Sequence, residues 1–305
     1  MKYNHLIFSA EEKKFFYVLR NDFTFILNQS DLNKLKAKAF VDQIKSKNMK
    51  KKLFISMALI ATGISFANAQ EKMKPEDTEY YSPVPTVVTP GKTCGDAPSD
   101  AIILFDGKDL SKWVLTNDTT RQADWIVKKG IITVNKKSGN IQTKERFMDY
   151  QLHIEWKEPK DIEGSGQARG NSGLFLAGTG KGDDGYELQI LDSYNNSTYV
   201  NGQAGAIYKQ YPPLVNANFP PGVWQSYDVI WTAPRFNDDG TLKSAARVTA
   251  FFNGVLIQNN VELKGKTLYI GHPSYTAHGP SPIKLQAHGD KSKPISFRNI
   301  WVRKL

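Results

Sequence analysis

The sequence predicts an all-β protein, folded as a β-sandwich or jelly roll of two antiparallel sheets. From residue 101 onward, short segments alternate apolar and polar residues with a period of two, as half-buried strands do. Gly, Asn and Pro separate these segments, and no long window keeps the 3.6-residue period of an amphipathic helix. No internal repeat of fixed period is present, which argues against a propeller.

The strands can be placed in order along this part of the chain. Residues 101–105 open it, and 124–127 with 131–134 form a hairpin whose turn contains Gly130. Asn253-Gly254 predicts a type I′ turn, because both residues tolerate positive φ. The other predicted strands are 151–156, two strands within 170–193 (the second being 186–191), 226–231, 247–252, 255–257, 283–286 and 295–302.

The strand 186–191 carries polar residues at alternate positions. Glu187 and Gln189 share one face, opposite the apolar side chains of Tyr186, Leu188 and Ile190. The outer face of a sheet in a sandwich is either solvated or the floor of a groove, and the pattern alone leaves both interpretations open.

The N-terminal region contains a secretory signal. Residues 49–69, MKKKLFISMALIATGISFANA, combine a lysine triplet, an apolar run and an Ala-Asn-Ala site. They predict cleavage near Ala69 and Gln70 and a periplasmic or secreted protein. The apolar run is too short to span a bilayer, so no transmembrane segment is predicted in the mature protein.

The signal also predicts the organisation of the chain. Because export signals work from an N-terminus, we interpret residues 1–48 as an extension from a misplaced start site. A genuine cytoplasmic extension followed by an internal anchor is the alternative. Residues 70–99 are rich in proline and charge, which predicts a flexible leader, and 100–305 is the predicted sandwich domain.

Charge and cysteine content exclude several classes of function. The 305-residue chain has a formal charge of +10, but residues 70–305 contain 28 Lys and Arg against 25 Asp and Glu, a net of +3. This balance gives no case for a nucleic-acid partner. Cys94 is the only cysteine, which excludes an intrachain disulfide and a thiolate metal cluster.

Seven motifs appear in order along the folded part. They are FDGKDLSKW (105–113), DWIVKKGIITV (124–134), MDYQLHIEW (148–156), GNSGLFL (170–176), GYELQILDS (185–193), AGAIY (204–208), and PIKLQAHG with ISFRNIWVRKL (282–305). Together they resemble the 3-keto-disaccharide hydrolase domain family, formerly domain of unknown function 1080, which is common in exported Bacteroidetes proteins. The resemblance covers 101–305 and implies a concanavalin A-like jelly-roll sandwich. Trp224-Gln225, where the family usually has Trp-Asn, and a long loop at 271–281 depart from the pattern.

The resemblance also implies a substrate, a glycoside or disaccharide whose sugar is oxidised at C3. The ketone acidifies the proton on C2, so one base and a group that stabilises an enolate are enough to eliminate the leaving group from C1. Water then adds to the product, or the unsaturated sugar is released. A sugar 3-dehydrogenase would supply such a substrate.

Candidate residues follow from the matched motifs. Glu187 is the implied base or metal ligand, and His288 is a second candidate for base, acid or ligand. Predicted substrate-binding residues are Gln189, Asn171, Arg169, Tyr208 and Trp224. No cofactor is certain; a divalent metal ion is a candidate, with Glu187, His153, Glu155 and His288 as its candidate ligands.

Two other functions remain open at this point. A carbohydrate-binding module without catalysis would use the same groove. A conventional glycoside hydrolase needs a second carboxylate, and the strand that carries Glu187 has none at the right spacing. An acid from another strand, such as Glu155, would complete that pair.

Overall fold

The computed structural model describes three short strands near the N-terminus, Lys38, and residues 73–305. The predicted signal peptide at 49–69 and most of 1–48 lie outside the described residues. The chain forms two compact units, Met1–Val84 and Pro85–Leu305. No helix in the described part has the length and apolar character needed to cross a bilayer.

In the first unit, three strands form an antiparallel sheet in the order β1-β2-β3. Their bounds are β1 Tyr3–Ser9, β2 Lys14–Leu19 and β3 Thr24–Leu27. A 3-10 turn at Pro75–Thr78 also belongs to this unit.

The second unit is built almost entirely of strands. These are β4 Ile102–Phe105, β5 Trp113–Leu115, β6 Ile126–Lys128, β7 Ile131–Thr133, β8 Ile141–Thr143, β9 Tyr150–Lys157, β10 Ser172–Gly178, β11 Gly185–Ile190, β12 Gln225–Thr232, β13 Arg235–Phe236, β14 Leu242–Ser244, β15 Arg247–Phe252, β16 Val255–Glu262, β17 Lys284–Leu285 and β18 Ser296–Lys304. Two 3-10 turns, Gly166–Ala168 and Val200–Gly202, are the helical elements of residues 85–305.

Two antiparallel sheets form the sandwich. The smaller has the strand order β11-β10-β17-β8-β5, and the larger has the order β16-β15-β12-β9-β18-β7-β6, with β4 also paired to β18. β13 and β14 form a separate two-stranded ribbon. The predicted all-β jelly-roll sandwich is therefore confirmed.

The core lies between the sheets. Alternate residues of β9, such as Leu152 and Ile154, meet alternate residues of β11, such as Leu188 and Ile190, in one apolar cluster. Trp156 and Trp231 are fully buried in the same cluster. Because the side-chain period is two, the intervening polar residues of each strand point away from the core.

The strongly alternating strands agree with the sequence prediction. The Asn253-Gly254 turn has positive φ at both residues (52° and 79°), as predicted. β5 and β8 were not predicted, because all three residues of each are buried and neither shows alternation. β10 is likewise buried throughout and contains a bulge between Phe175 and Ala177.

Candidate active site

The outer face of β11 is the floor of a cavity. Tyr186, Leu188 and Ile190 enter the core, and Glu187 and Gln189 point the opposite way. Yet Glu187 is only 6% exposed and Gln189 only 1%. Loops cover this face of the sheet, so the polar residues of β11 are buried rather than solvated.

Two neighbouring cavities lie over this sheet. The first, here named the glutamate cavity, has a volume of about 290 Å³. The second, the tyrosine cavity, has a volume of about 480 Å³. The residues that line only the glutamate cavity are Asp183, Glu187, Gln189, Thr267 and Gln286. The residues that line only the tyrosine cavity are Gln167, Ala168, Tyr199, Lys209 and Asp290. Four residues line both cavities, namely Asn171, Tyr208, Tyr269 and His288. The shared residues show that the two cavities are adjacent.

Glu187 is held in an environment that favours its neutral form. Burial raises the pKa of its carboxyl to about 8, and the nearby charge of Asp183 contributes to the rise. The backbone N–H of Glu187 donates to Oγ1 of Thr267 at 3.0 Å, which attaches the strand to the covering loop. At neutral pH Glu187 is therefore mainly a carboxylic acid.

The side-chain amide of Gln189 lies beside the carboxyl group of Glu187. Its Nε2 donates to Oε1 of Gln167 and Oδ1 of Asn171, each at 3.2 Å. Those two oxygens are fixed as acceptors, because each amide nitrogen donates elsewhere: Gln167 to the Gly202 carbonyl and Asn171 to the Gln167 carbonyl, both at 2.8 Å. The Gln189 oxygen then lies 3.1 Å from Oε1 of Glu187, where a proton on Glu187 would be favourable, and 3.2 Å from the carbonyl oxygen of Ser172, which cannot donate. Rotating the amide by 180° would present its nitrogen to an ionised Glu187 instead.

His288 forms a pair with Asp290. Its Nδ1 lies 2.8 Å from Oδ2 of Asp290. Burial alone would raise the pKa of Asp290, but hydrogen bonds from His288 and Ser292 hold it at about 2. Nδ1 therefore faces a carboxylate acceptor, and the backbone N–H of Asp290 also donates to it at 3.2 Å, so Asp290 holds the ring through this nitrogen. The ring lines both cavities.

A buried lysine fixes the loop that carries Asp183. Nζ of Lys284 donates to the carbonyls of Gly180, Gly182 and Asp184 at 2.7, 3.2 and 2.8 Å. Burial lowers the pKa of Lys284 to about 8. Nδ2 of Asn140 donates to Oδ1 of Asp183 at 2.7 Å. The loop thus places a second carboxylate beside Glu187.

Several predicted residues meet at these cavities. Glu187, His288, Gln189, Asn171 and Tyr208 all line one or both of them. The hydroxyl of Tyr208 lies 2.6 Å from that of Tyr199. These predicted residues therefore lie together around two adjacent cavities, and their roles remain predictions.

Arg169 lies beside the site without lining either cavity. Its Nε is 2.8 Å from Oδ2 of the fully buried Asp192, although the N–H is not aligned with that oxygen. Its Nη2 donates to the carbonyl of Tyr194. The guanidinium is thus engaged within the protein and does not face the cavities.

Other predicted residues lie on the opposite side of the sandwich. His153, Glu155 and Trp224 line a cavity over the outer face of the larger sheet. The Trp224 ring packs under Arg298, whose guanidinium carbon is 4.2 Å from the ring centroid. Arg298 also pairs with Glu155 at 2.6 Å. Trp224 and Glu155 therefore lie on the opposite side of the sandwich from Glu187. Glu155 cannot be the second acid of a two-carboxylate site with Glu187.

The candidate metal ligands are divided in the same way. Nδ1 of His153 lies 2.7 Å from Oδ1 of Asp228, and the two carboxylates near His153 raise its pKa to about 9 despite its burial. Burial would raise the pKa of Glu155, but the nearby His153 ring (3.7 Å) and hydrogen bonds from Asn299 and Arg298 lower it to about 2. Within the described residues, no three His, Cys, Asp or Glu side chains form a group that could hold a metal ion.

Sequence reasoning missed several residues that line the site. Asp183, Thr267, Tyr269, Gln286 and Lys209 belong to loops or strand ends without a readable period. The DDG tripeptide at 183–185 was the available signal for Asp183, since two acids before a glycine lie just ahead of the strand that carries Glu187.

Comparison with known proteins agrees with this fold. A crystal structure from Parabacteroides distasonis, of a protein provisionally named a glycosyl hydrolase, is 54% identical with a TM-score of 0.72 and covers 76% of this chain and 97% of that one. Two further structures of the same name and organism are 20% and 19% identical, with TM-scores of 0.48 and 0.47, and cover 68% and 67% of this chain and 94% and 99% of theirs. These last two carry no argument here. A search of curated proteins gives no match.

The family comparison covers the whole sandwich. Residues 100–303 match the model of the 3-keto-alpha-glucoside-1,2-lyase-like domain, which confirms the resemblance seen in the sequence motifs. The match includes every residue that lines the two cavities. Because it spans more than half of the chain, this protein belongs to the 3-keto-alpha-glucoside-1,2-lyase-like domain family.

Proposed function

We propose that this protein is an exported carbohydrate-active enzyme that cleaves glycosides whose sugar is oxidised at C3. The observation that carries the proposal is the contrast between two titratable groups in one cavity. Glu187 is kept neutral by burial, and His288 is held by Asp290 with Nε2 free. A buried carboxylic acid can donate a hydrogen bond, and an imidazole with an unbonded ring nitrogen can accept a proton.

The reaction begins at C2 of the keto sugar. Nε2 of His288 removes the C2 proton, and the electrons of that bond form an enolate with the C3 carbonyl. Neutral Glu187 donates a hydrogen bond to the C3 oxygen as its negative charge develops, as a buried carboxylic acid can do in a site that excludes water.

The enolate then expels the leaving group. Its electrons restore the C3 carbonyl and form a C1–C2 double bond while the C1–O bond breaks. The leaving oxygen takes the proton held by His288, which returns the ring to its starting state. Addition of water to the unsaturated ketone gives the hydrolysis product; without it the enzyme acts as a lyase.

Other groups in the glutamate cavity can position the sugar. Oε1 of Gln286 is buried without a hydrogen-bond partner, and Gln286 lines this cavity. Oγ1 of Thr267 accepts from the Glu187 backbone and keeps its own hydrogen for a ligand. Sugar hydroxyls would satisfy both groups.

The first test compares a 3-keto-glucoside with its unoxidised parent, using wild type, Glu187→Gln and the exposed-site control Glu262→Gln, each with and without a chelator. We expect turnover of the keto form alone, with loss in Glu187→Gln and not in the control. Deuterium at C2 should slow the reaction, because that C–H bond breaks. Sugar binding without turnover would instead support a binding module.

A conventional glycoside hydrolase is the second candidate, because Asp183 and Glu187 line the same cavity. Such enzymes use two carboxylates on either side of the scissile bond. Cleavage of the unoxidised parent, lost in Asp183→Asn as well as Glu187→Gln, would favour this mechanism and overturn the elimination.

The keto substrate requires an earlier oxidation. The chemistry therefore calls for an oxidoreductase that acts at C3 of the sugar.

A further inference from the structure

The tyrosine cavity contains a lysine surrounded by aromatic rings. Nζ of Lys209 lies 4.5 Å from the ring centroid of Tyr199, 5.3 Å from that of Tyr269 and 6.0 Å from that of Tyr208. These rings stabilise the positive charge through their faces. They accept no ordinary hydrogen bond, so the three donors of the ammonium group stay available.

Within the described residues, Lys209 has no carboxylate partner within ion-pair distance. Asp290 lines the same cavity, but it accepts from His288, Lys136 and Ser292. The cavity therefore presents a positive charge without a matching negative one.

The backbone holds Lys209 in this place. Its φ is +62°, in the left-handed region that non-glycine residues seldom adopt. Its backbone N–H donates to the carbonyl of Asn201 at 2.9 Å, which fixes the turn. Conformations of this kind cluster at binding sites, where the surrounding structure maintains them.

We propose that the tyrosine cavity binds the leaving group of the substrate, and that this leaving group is a sugar carrying a carboxylate, paired with Lys209. This inference rests on the proposed function, which puts the keto sugar beside Glu187. His288 and Tyr208 line both cavities, so the glycosidic bond lies where the two cavities meet. The ring of the leaving sugar then extends into the tyrosine cavity toward Tyr199. The tyrosine faces pack on the apolar face of that ring, and the ammonium group binds its carboxylate.

The test uses two 3-keto-glucosyl disaccharides that differ only in the leaving sugar, glucuronic acid or glucose. Lys209→Asn removes the cation and keeps a residue that tolerates positive φ. The matched control is Lys264→Asn, since Lys264 also lies over a tyrosine, 4.8 Å from the Tyr211 ring centroid, but lines neither cavity.

We expect Lys209→Asn to lower kcat/KM about tenfold or more for the glucuronate substrate, since hydrogen bonds to charged groups are worth this much. For the glucose substrate the loss should be smaller, about threefold, because its hydroxyl offers Lys209 only a hydrogen bond to a neutral group, and Lys264→Asn should change neither rate. The wild type should prefer the glucuronate substrate, and this preference should weaken with added salt. An equal effect of Lys209→Asn on both substrates would overturn the proposal.

A binding measurement separates this inference from the proposed function. Free glucuronate and glucose are titrated into wild type and Lys209→Asn by NMR, which needs no turnover. Selective binding of glucuronate, lost in Lys209→Asn, supports the subsite even if no keto glycoside is cleaved. Cleavage of both keto substrates without selective glucuronate binding supports the enzyme and rejects the subsite.

Discussion

The carboxyl group of Glu187 occupies the space that a side chain at position 173 would fill. A Cβ on Gly173 would lie 2.3 Å from Oε1 of Glu187 and 3.1 Å from the Phe175 ring. Gly173 is on β10, next to the strand that carries Glu187. The neighbouring strand therefore makes room for the acid by having no side chain at this position.

Gly173→Ala should displace Glu187 and reduce turnover of a 3-keto-glycoside at least tenfold, because misplacing a catalytic group by about 1 Å has an effect of this size or larger. The carboxyl end of a flexible side chain can move aside, so we expect a fall in the free energy of unfolding of only about 1 kcal/mol. Steady-state kinetics and urea unfolding measure the two effects. Gly279→Ala, where a Cβ meets open space, is the control. Unchanged kcat/KM in Gly173→Ala would show that the exact position of Glu187 is unimportant.

The raised pKa of Glu187 predicts a pH-dependent stability. Between about pH 4.5 and 8 the folded chain keeps a proton that an unfolded carboxyl releases, so the free energy of unfolding falls as pH rises through this window. Glu187→Gln lacks this titration. Its Tm should rise relative to wild type between pH 5 and pH 8, as measured by calorimetry.

Glu262→Gln, which removes an exposed carboxylate paired with Arg247, provides the comparison. A Tm difference between wild type and Glu187→Gln that is the same at pH 5 and pH 8 would show that Glu187 ionises normally in the folded chain. Glu158 has a pKa raised by burial in the same direction and is present in all three proteins, so it does not affect the comparison.

Asp290→Asn should impair catalysis through His288. The carboxylate can only accept from Nδ1 of His288, whereas an amide in its place can present its NH₂ group to the ring. We expect kcat to fall about a hundredfold, at the lower end of the contribution of a general base. The tautomer of His288 can be followed by nitrogen NMR, which a purely structural defect would not shift selectively. Full activity with an altered tautomer would exclude His288 as the base.

Lys284→Met tests the attachment of the covering loop. The substitution leaves three carbonyls without their donor, and each buried group that loses a partner costs about 1–3 kcal/mol. We expect a loss of about 3 kcal/mol in the free energy of unfolding and faster amide exchange at 179–184. Lys266→Met removes only a partly exposed ion pair with Asp184 (2.9 Å) and should cost less than about 1 kcal/mol. Equal losses in the two variants would contradict a special role for Lys284.

Trp224 and Tyr208 should behave differently, since they lie over opposite sheets. Trp224→Ala removes the ring under Arg298 and should lower stability while leaving kcat/KM within about twofold. Tyr208→Ala opens the boundary between the two cavities and should reduce kcat/KM at least tenfold. The same kinetic assay measures both. A large loss of activity in Trp224→Ala, with Tm preserved, would place substrate on the other sheet.

The sequence predicted the face of β11 but not its surroundings. A period of two was enough to separate Glu187 from the core side chains. Which loops cover Glu187 depends on contacts between distant residues, such as Lys284 and the carbonyls at 180–184, which lie about a hundred positions earlier. Local patterns carry no information on such pairings.

Some predicted site residues lie on the other sheet from Glu187, and the physical reason is similar. Glu155 lies in the predicted strand 151–156 and Trp224 just before the predicted strand 226–231, but periodicity does not say which sheet a strand joins. β9 pairs with β12 and β18, and β11 pairs with β10, so two polar faces that look alike in sequence lie on opposite sides of the molecule. Lys209 was missed because its place depends on a single left-handed residue in a loop.

The segment before β4 is attached to the side away from the two cavities. The carbonyl of Gly95 accepts from Nδ2 of Asn299 and Nε1 of Trp301, at 2.9 and 2.8 Å on the outer face of the larger sheet. Cys94 is exposed next to this anchor and is the chain's sole thiol. A maleimide bead or surface would therefore capture each molecule through one residue, with both cavities facing the solution, and a fluorophore on Cys94 would leave both cavities unobstructed.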